Sequence, residues 1–199
     1  MELFTLFPQL LAKVQVENHA QYKEVLVPAL TEQYEKNPYE KLDWARWADT
    51  WNMNANLTND LGFQKYINAW LEYFKYPLVE YEIRAWFNVH KWYNFQESHT
   101  HFGNDCFLSG IYYIQLDEKD RAAEFVRDSD HEYIYTLNLF NGKAPEHPYY
   151  TKYSTDAGLN VEEGDLLLFT PDMKHFVPQA KEKHDGLRMS LSFNVHKKK

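Results

Sequence analysis

The spacing of the apolar residues changes once along this chain, and that change limits the possible folds more than any other feature. Before residue 80 the clearest pattern is helical. Phe63, Tyr66, Ile67, Trp70, Leu71 and Phe74 fall at i, i+3, i+4, i+7, i+8 and i+11, a single stripe on a cylinder. From Tyr81 the period drops to two, with Ile83, Ala85, Phe87 and Val89 alternating with Glu82, Arg84, Trp86 and Asn88. Further short strands are expected at 108–115, 122–126, 132–140, 149–154, 165–170, 175–179 and 188–196, separated by polar turns. Helices first and many short strands afterwards predict a mostly β chain with N-terminal helices. Its strands would close as a double-layered jelly roll. The expected organisation is one domain, with 1–80 as helical support and 81–196 as the β core.

The N-terminal part carries its own punctuation. Residues 10–16, Leu-Leu-Ala-Lys-Val-Gln-Val, read as a first strand. Asn18 is placed to cap a helix, with Gln21 reaching back to it, and that helix runs to about Tyr34. Pro28 is expected to kink or divide it, and Pro77 to end the second helix. Residues 36–60, polar and rich in Trp and Asn, read as irregular.

Composition excludes several functions. The 199 residues carry a net charge of −8, a poor match to nonspecific nucleic-acid binding. Cys106 is the one cysteine, so no internal disulfide can form, which suits a reducing cytosol. No apolar stretch approaches the ~20 residues needed to span a bilayer. Met1-Glu2-Leu3-Phe4 lacks the basic start of a signal peptide, and Lys197-Lys198-Lys199 reads as a solvated tail. The expectation is a cytoplasmic protein with no membrane partner, acting on a small molecule or peptide.

Chemistry concentrates at Ser98-His99-Thr100-His101, between two strand-like runs. In an extended backbone i and i+2 share a face, so His99 and His101 aim two imidazoles at one point. Imidazole is the commonest nitrogen ligand of the first-row metals. With nine histidines in the chain, one such pair can also arise by chance, so context must support it. His175 supplies that context. It follows the turn, apolar strand and stop of Glu163-Gly164-Asp165-Leu166-Leu167-Leu168-Phe169-Thr170-Pro171. In Leu187-Arg188-Met189-Ser190-Leu191-Ser192-Phe193-Asn194-Val195, Arg188, Ser190, Ser192 and Asn194 share one face. That face lies either in water or inside a barrel, where an arginine fork and a hydroxyl clamp a carboxylate.

In this order His-x-His, Ser109-Gly110-Ile111-Tyr112-Tyr113, Gly164-Asp165, His175 and Arg188-x-Ser190 resemble the 2-oxoglutarate- and iron(II)-dependent oxygenases. The resemblance is greatest to small, mostly uncharacterised members from bacteria and their phages. It covers about residues 81–196, with Ser98 and Phe102 where prolines often flank the histidine pair. It implies a double-stranded β-helix that uses Fe(II), 2-oxoglutarate and O2 to oxidise a C–H bond, in a bacterial or phage-infected cytosol. It also implies that His99 and His175 are metal ligands and that His101 stands where most relatives keep a carboxylate. Arg188, with Ser190 beside it, would pair with the far carboxylate of 2-oxoglutarate. Tyr113 would hydrogen-bond the same group, or else be a core tyrosine.

Two other readings stay open. One is a cupin-type three-histidine metal dioxygenase without 2-oxoglutarate, in which Asp105 falls near a carboxylate-ligand position. The other is a non-catalytic jelly roll. Arg188 discriminates the first, and metal affinity the second. No nucleophile motif supports a hydrolase, and Cys106 reads as a packing residue. Segments 36–60, 93–107 and 140–160 are the expected specificity loops.

Overall fold

The computed structural model describes residues 2, 9–36, 47–48, 61–77, 79–103, 105–127, 130–139, 141–142, 151–155 and 158–198. The architecture is mostly β. A six-stranded antiparallel sheet has the order β1-β7-β5-β9-β3-β2. Its strands are β1 (Leu11–Gln15), β2 (Trp47–Ala48), β3 (Tyr81–His90), β5 (Cys106–Gln115), β7 (Asp165–Phe169) and β9 (Arg188–Lys197). A three-stranded sheet has the order β4-β8-β6, from β4 (Gln96–His99), β6 (Glu124–Phe125) and β8 (His175–Val177). This is the expected two-sheet jelly roll. No helix among the described residues is long and apolar enough to cross a membrane.

Side-chain parity splits the large sheet into two faces. Along β9, Met189, Leu191, Phe193 and Val195 join a core with Tyr112, Leu166, Leu168 and the helices. Those helices are α1 (His19–Lys36) and α2 (Gln64–Tyr73). The α2 stripe does what its spacing predicts. Ile67, Trp70 and Leu71 are buried, together with Phe63 just ahead of the helix. Each such burial is worth ~1.5–3 kcal/mol. The opposite parity, Ile111, Tyr113, Leu167 and Phe169, packs with Phe125 and Met173. Functional side chains project from this second face.

Local expectations hold in part. Gly164 sits at φ +90°, where a Cβ would run into Gln15 and His19, so this turn requires glycine. The first helix opens on the Asn18 carbonyl, with Asn18 itself at φ 61°, rather than on a side-chain capping box. Pro28 neither kinks the chain into two helices nor ends α1. Pro28 and Glu24, whose carbonyl loses its partner, both lie on the exposed face, where water replaces the missing bond. Leu26 and Leu30 anchor the helix on either side. The second helix stops before Pro77, in a Schellman turn: Lys75 at φ 53°, with the Tyr76 N–H donating to the Leu71 carbonyl at 2.9 Å.

One element has the wrong type. Of residues 132–140, expected as a strand, 132–139 fall in helix α3 (Asp130–Leu139), and residue 140 lies outside the described residues. Ile134, Tyr135 and Leu139 remain exposed, so the aromatic alternation has no sheet to bury against. A helix closes its backbone hydrogen bonds without a partner strand. Of the irregular segment 36–60, only Lys36 and 47–48 are described, the latter pairing with β3. Of the strand expected at 149–154, residues 149–150 lie outside the described residues. Tyr153 bridges to Val126.

Candidate metal centre

Two short strands bring the histidines together. In the small sheet β4 runs antiparallel to β8, and His99 pairs directly with His175. His101 lies just past β4, where its backbone N–H donates to the Pro171 carbonyl at 2.8 Å. That bond ties the His-x-His segment to the turn between β7 and β8. The ring centroids are 4.3 Å apart for His99–His175, 5.0 Å for His99–His101 and 5.1 Å for His101–His175. Among the described residues, one donor nitrogen from each ring lies within 4.8 Å of the others.

Backbone carbonyls orient two of the rings. His99 Nδ1–H donates to the Glu97 carbonyl at 2.7 Å, and His175 Nδ1–H donates to the Met173 carbonyl at 2.9 Å. In both, Nε2 keeps its lone pair, which is how a protein prepares a histidine for a metal. Imidazole nitrogens bind such ions at ~2.1 Å, so a spread of 4.8 Å needs the rings to draw in only slightly. Phe125 and Phe169 pack behind His175, with centroids at 5.5 and 4.9 Å, and close that side to water. Burial, added to by the neighbouring histidines, lowers the His101 pKa to about 3. Burial likewise lowers that of His175 to about 4. Both rings are neutral at physiological pH and present lone pairs, not charge. The residue types, the tautomers of His99 and His175 and the neutral rings of His101 and His175 fit a first-row metal cation.

The same pocket continues inward along the polar face of β9. Three polar rungs cross the sheet. Ser109 Oγ donates to Asn194 Oδ1 at 2.8 Å, and Asn194 Nδ2 faces His101 Nδ1 at 3.3 Å. Asn88 Nδ2 donates to Ser192 Oγ at 2.9 Å and to Ser190 Oγ at 3.5 Å. Arg188 Nη1 donates to the carbonyls of Arg121 and Pro178, at 2.6 and 3.0 Å, and Nη2 donates to His90 Nδ1 at 2.6 Å. Arg188 is 4% exposed, and none of its hydrogen bonds goes to a carboxylate among the described residues. Burial lowers its pKa to about 10, so it still carries its charge at neutral pH. Tyr113, 2% exposed, accepts the Ala123 N–H at 2.9 Å and keeps its own proton, with a pKa pushed by burial up to about 12.

The sequence-predicted residues His99, His101, Tyr113, His175, Arg188 and Ser190 thus line one pocket. Tyr112 points the other way, to the helix-side core. Asp105 does not join them. It is exposed at φ 59° and lines a different hollow, with Leu71, Cys106 and Lys197. Sequence reasoning missed Trp86, Asn88, His90 and Gln96, which also line the pocket. The available signal was Asn88-x-His90, two polar residues closing a strand whose alternate positions are apolar.

A model of the family described as "Putative 2OG-Fe(II) oxygenase" matches residues 84–194. No curated protein matches the chain. Among solved structures, a Pseudomonas putida prolyl-4-hydroxylase is similar with a TM-score of 0.59 and 13% identity, over 96% of this chain and 94% of that one. The carbocyclase SnoK from nogalamycin biosynthesis, described as non-heme and alpha-ketoglutarate dependent, is similar with a TM-score of 0.60 and 14% identity, over 95% and 80%. HygX from Streptomyces hygroscopicus, solved with nickel and 2-oxoglutarate, is similar with a TM-score of 0.51 and 12% identity, over 95% and 83%. At these identities the structures speak to the fold, which is the double-stranded β-helix. The family match spans more than half of the sequence and covers β3, the histidine segment, His175 and Arg188: the chain belongs to the 2OG-Fe(II) oxygenase family.

Proposed function

We propose that this protein couples oxidative decarboxylation of 2-oxoglutarate to oxidation of a C–H bond in a small molecule or peptide. In this reading His99, His101 and His175 hold iron(II), and Arg188 and Ser190 hold the far carboxylate of the co-substrate, with Tyr113 beside them. One observation carries it: a buried, charged arginine that hydrogen-bonds no carboxylate among the described residues, and feels the charge of only one, Asp120, shares a pocket with three converging imidazoles. In a three-histidine dioxygenase without 2-oxoglutarate, that arginine would have to bind a carboxylate of the substrate itself.

When bound, iron(II), 2-oxoglutarate and O2 supply the oxidising chemistry, leaving succinate and CO2. The chain's own residues bind and orient. The Glu97 and Met173 carbonyls fix two ring tautomers. Phe125 and Phe169 exclude water behind His175. Arg188 neutralises one end of a dianion, and three neutral imidazoles leave the metal's full double charge for the other. Trp86, with its ring centroid 6.1 Å from that of His101, lines the pocket and offers a substrate an aromatic surface. The lone thiol, Cys106, suits a reducing bacterial or phage-infected cytosol.

The test is spectroscopic. Anaerobic iron(II) with 2-oxoglutarate should produce the weak visible charge-transfer band of a chelated keto acid. Arg188→Lys should weaken 2-oxoglutarate at least tenfold while leaving 2-oxovalerate, which lacks the far carboxylate, unchanged. Iron bound without a band would overturn this reading in favour of the three-histidine dioxygenase.

A further inference from the structure

His90 closes β3 directly opposite Arg188 in the sheet register. It is 3% exposed and lines the inner end of the pocket. Arg188 Nη2 lies 2.6 Å from His90 Nδ1, and a guanidinium can only donate. Nδ1 is therefore the acceptor, and the proton of the neutral ring sits on Nε2. That Nε2–H is buried and has no hydrogen-bond partner among the described residues. A donor sealed from water without an acceptor is costly, so its persistence marks a place where an acceptor arrives.

The surroundings say which kind of acceptor. Among the described residues no Asp or Glu lines this pocket, and Asp120, whose charge acts on Arg188, is hydrogen-bonded to His184 instead, at 3.0 Å. Its inner end presents Arg188 N–H groups, the Tyr113 O–H and the His90 Nε2–H. Every one of these donates, and an ionised carboxylate is the biological group that only accepts, with two oxygens to share among several donors. The Arg188 charge also polarises the His90 ring through Nδ1 and strengthens its Nε2–H as a donor.

We propose that His90 is a binding residue for the co-substrate, its Nε2–H donating to the same far carboxylate that pairs with Arg188. This rests on the 2-oxoglutarate reading above and adds a residue to it. The arrangement is a relay in which arginine, histidine and carboxylate lie in series, while a second arginine N–H remains for direct contact.

The experiment uses anaerobic iron(II)-loaded protein, titrated with 2-oxoglutarate and with 2-oxovalerate. His90→Phe should weaken 2-oxoglutarate at least tenfold and leave both 2-oxovalerate and iron binding unchanged. His90→Gln, whose carbonyl can accept from Arg188 and whose NH2 can donate onward, should recover most of the loss. A readout that a merely structural role would not move comes from the unmutated, zinc-loaded protein labelled with 15N-histidine. There the His90 Nε2–H proton signal should move downfield with 2-oxoglutarate and stay in place with 2-oxovalerate. Equal affinity of wild type and His90→Phe, or a signal blind to the far carboxylate, would overturn the assignment. If wild type itself fails to distinguish the two keto acids, the co-substrate reading falls and takes this one with it. If Arg188→Lys loses the distinction and His90→Phe keeps it, only His90 is misassigned.

Discussion

Gly110→Ala should destabilise the fold, although the glycine has an ordinary backbone conformation. The reason is space. Gly110 pairs with Phe193 on β9 and with Leu168 on β7, so its backbone is held on both sides. An added Cβ would lie 2.6 and 2.9 Å from Cε1 and Cε2 of Phe193, and closer still to Cζ. Phe193 is 1% exposed and cannot retreat, because Phe63, fully buried, stands against it with ring centroids 5.6 Å apart. Overpacking a closed core costs ~1–3 kcal/mol, and two fixed neighbours put this site at the upper end. For a chain of this size ~3 kcal/mol lowers Tm by roughly 6–12 °C, at ~2–4 °C per kcal/mol. Urea and thermal denaturation would measure it, and a double-mutant cycle with Phe193→Leu would test the cause. Leucine removes the outer ring carbons, so the double variant should be less destabilised than the sum of the singles. Strict additivity, or Gly110→Ala within ~0.5 kcal/mol of wild type, would refute the packing argument. This contact also explains why Ser109-Gly110 and Phe193-Asn194 belong together in the sequence: one motif leaves the space that the other fills.

The other predictions concern the imidazoles. His101→Ala should abolish tight metal binding and metal-dependent 2-oxoglutarate turnover, whereas Asp105→Ala, on a different surface, should change neither by more than twofold in metal titrations. His101→Asp should retain metal, since under the proposed ligand set it supplies a carboxylate in place of the third imidazole. Acid should destabilise the metal-free protein early. His101 and His175, lowered to about 3 and about 4 by burial, stay neutral in the fold below the usual 6.5, while the unfolded chain takes up protons. Stability is therefore full above pH ~6.5 and falls with pH down to about 4 for His175 and about 3 for His101, by at most ~1.4 kcal/mol per pH unit for each ring. Urea midpoints equal at pH 7.5 and pH 5 would refute this.

Much of the fold was legible because its signals were two-sided. The α2 stripe and the β9 alternation each bury one face, and a pattern of that kind has only one way to sit. In β9 the sequence left open whether the polar face met water or the interior; Arg188 at 4% exposure and the rungs through Ser192 and Asn194 show the interior. Helix α3 was misread because its apolar residues Ile134, Tyr135 and Leu139 are exposed, where no packing enforces a period. The convergence of His99 and His101 was legible from i+2 spacing, whereas the pairing of His175 with His99 depends on a sheet register that no local pattern encodes. Asn88-x-His90 could have marked His90 as a pocket residue, but its role was illegible for a different reason. Its importance comes from the partner across the sheet, Arg188, and from an orphan proton, and neither exists in one dimension.

Asn194 poses the most specific question about the third ligand. As placed, its amide nitrogen faces His101 Nδ1 at 3.3 Å and its carbonyl accepts from Ser109 Oγ at 2.8 Å. A donor at Nδ1 puts the proton of a neutral His101 on Nε2, which is then not free for a metal. Binding through Nε2 moves that proton to Nδ1, and Nδ1–H needs an acceptor. Turning the amide by half a rotation provides one: Oδ1 accepts from His101, Nδ2 donates to Ser109 Oγ, and both contacts survive. The two orientations of an amide occupy nearly the same space, so this costs no packing. Asn194 should thus orient His101 in the loaded site, as carbonyls already orient His99 and His175. Asn194→Leu, similar in size but without an acceptor, should weaken cobalt(II) or iron(II) binding by ~10–100-fold, the usual effect of losing a partner behind a metal-bound histidine. Asn194→Asp, which can only accept, should hold metal at least as well as wild type. In 15N-histidine spectra His101 should carry its proton on Nε2 without metal and on Nδ1 with zinc. Wild-type affinity in Asn194→Leu would show that His101 is positioned by its Pro171 backbone bond alone, and an unchanged tautomer on zinc binding would remove His101 from the ligand set.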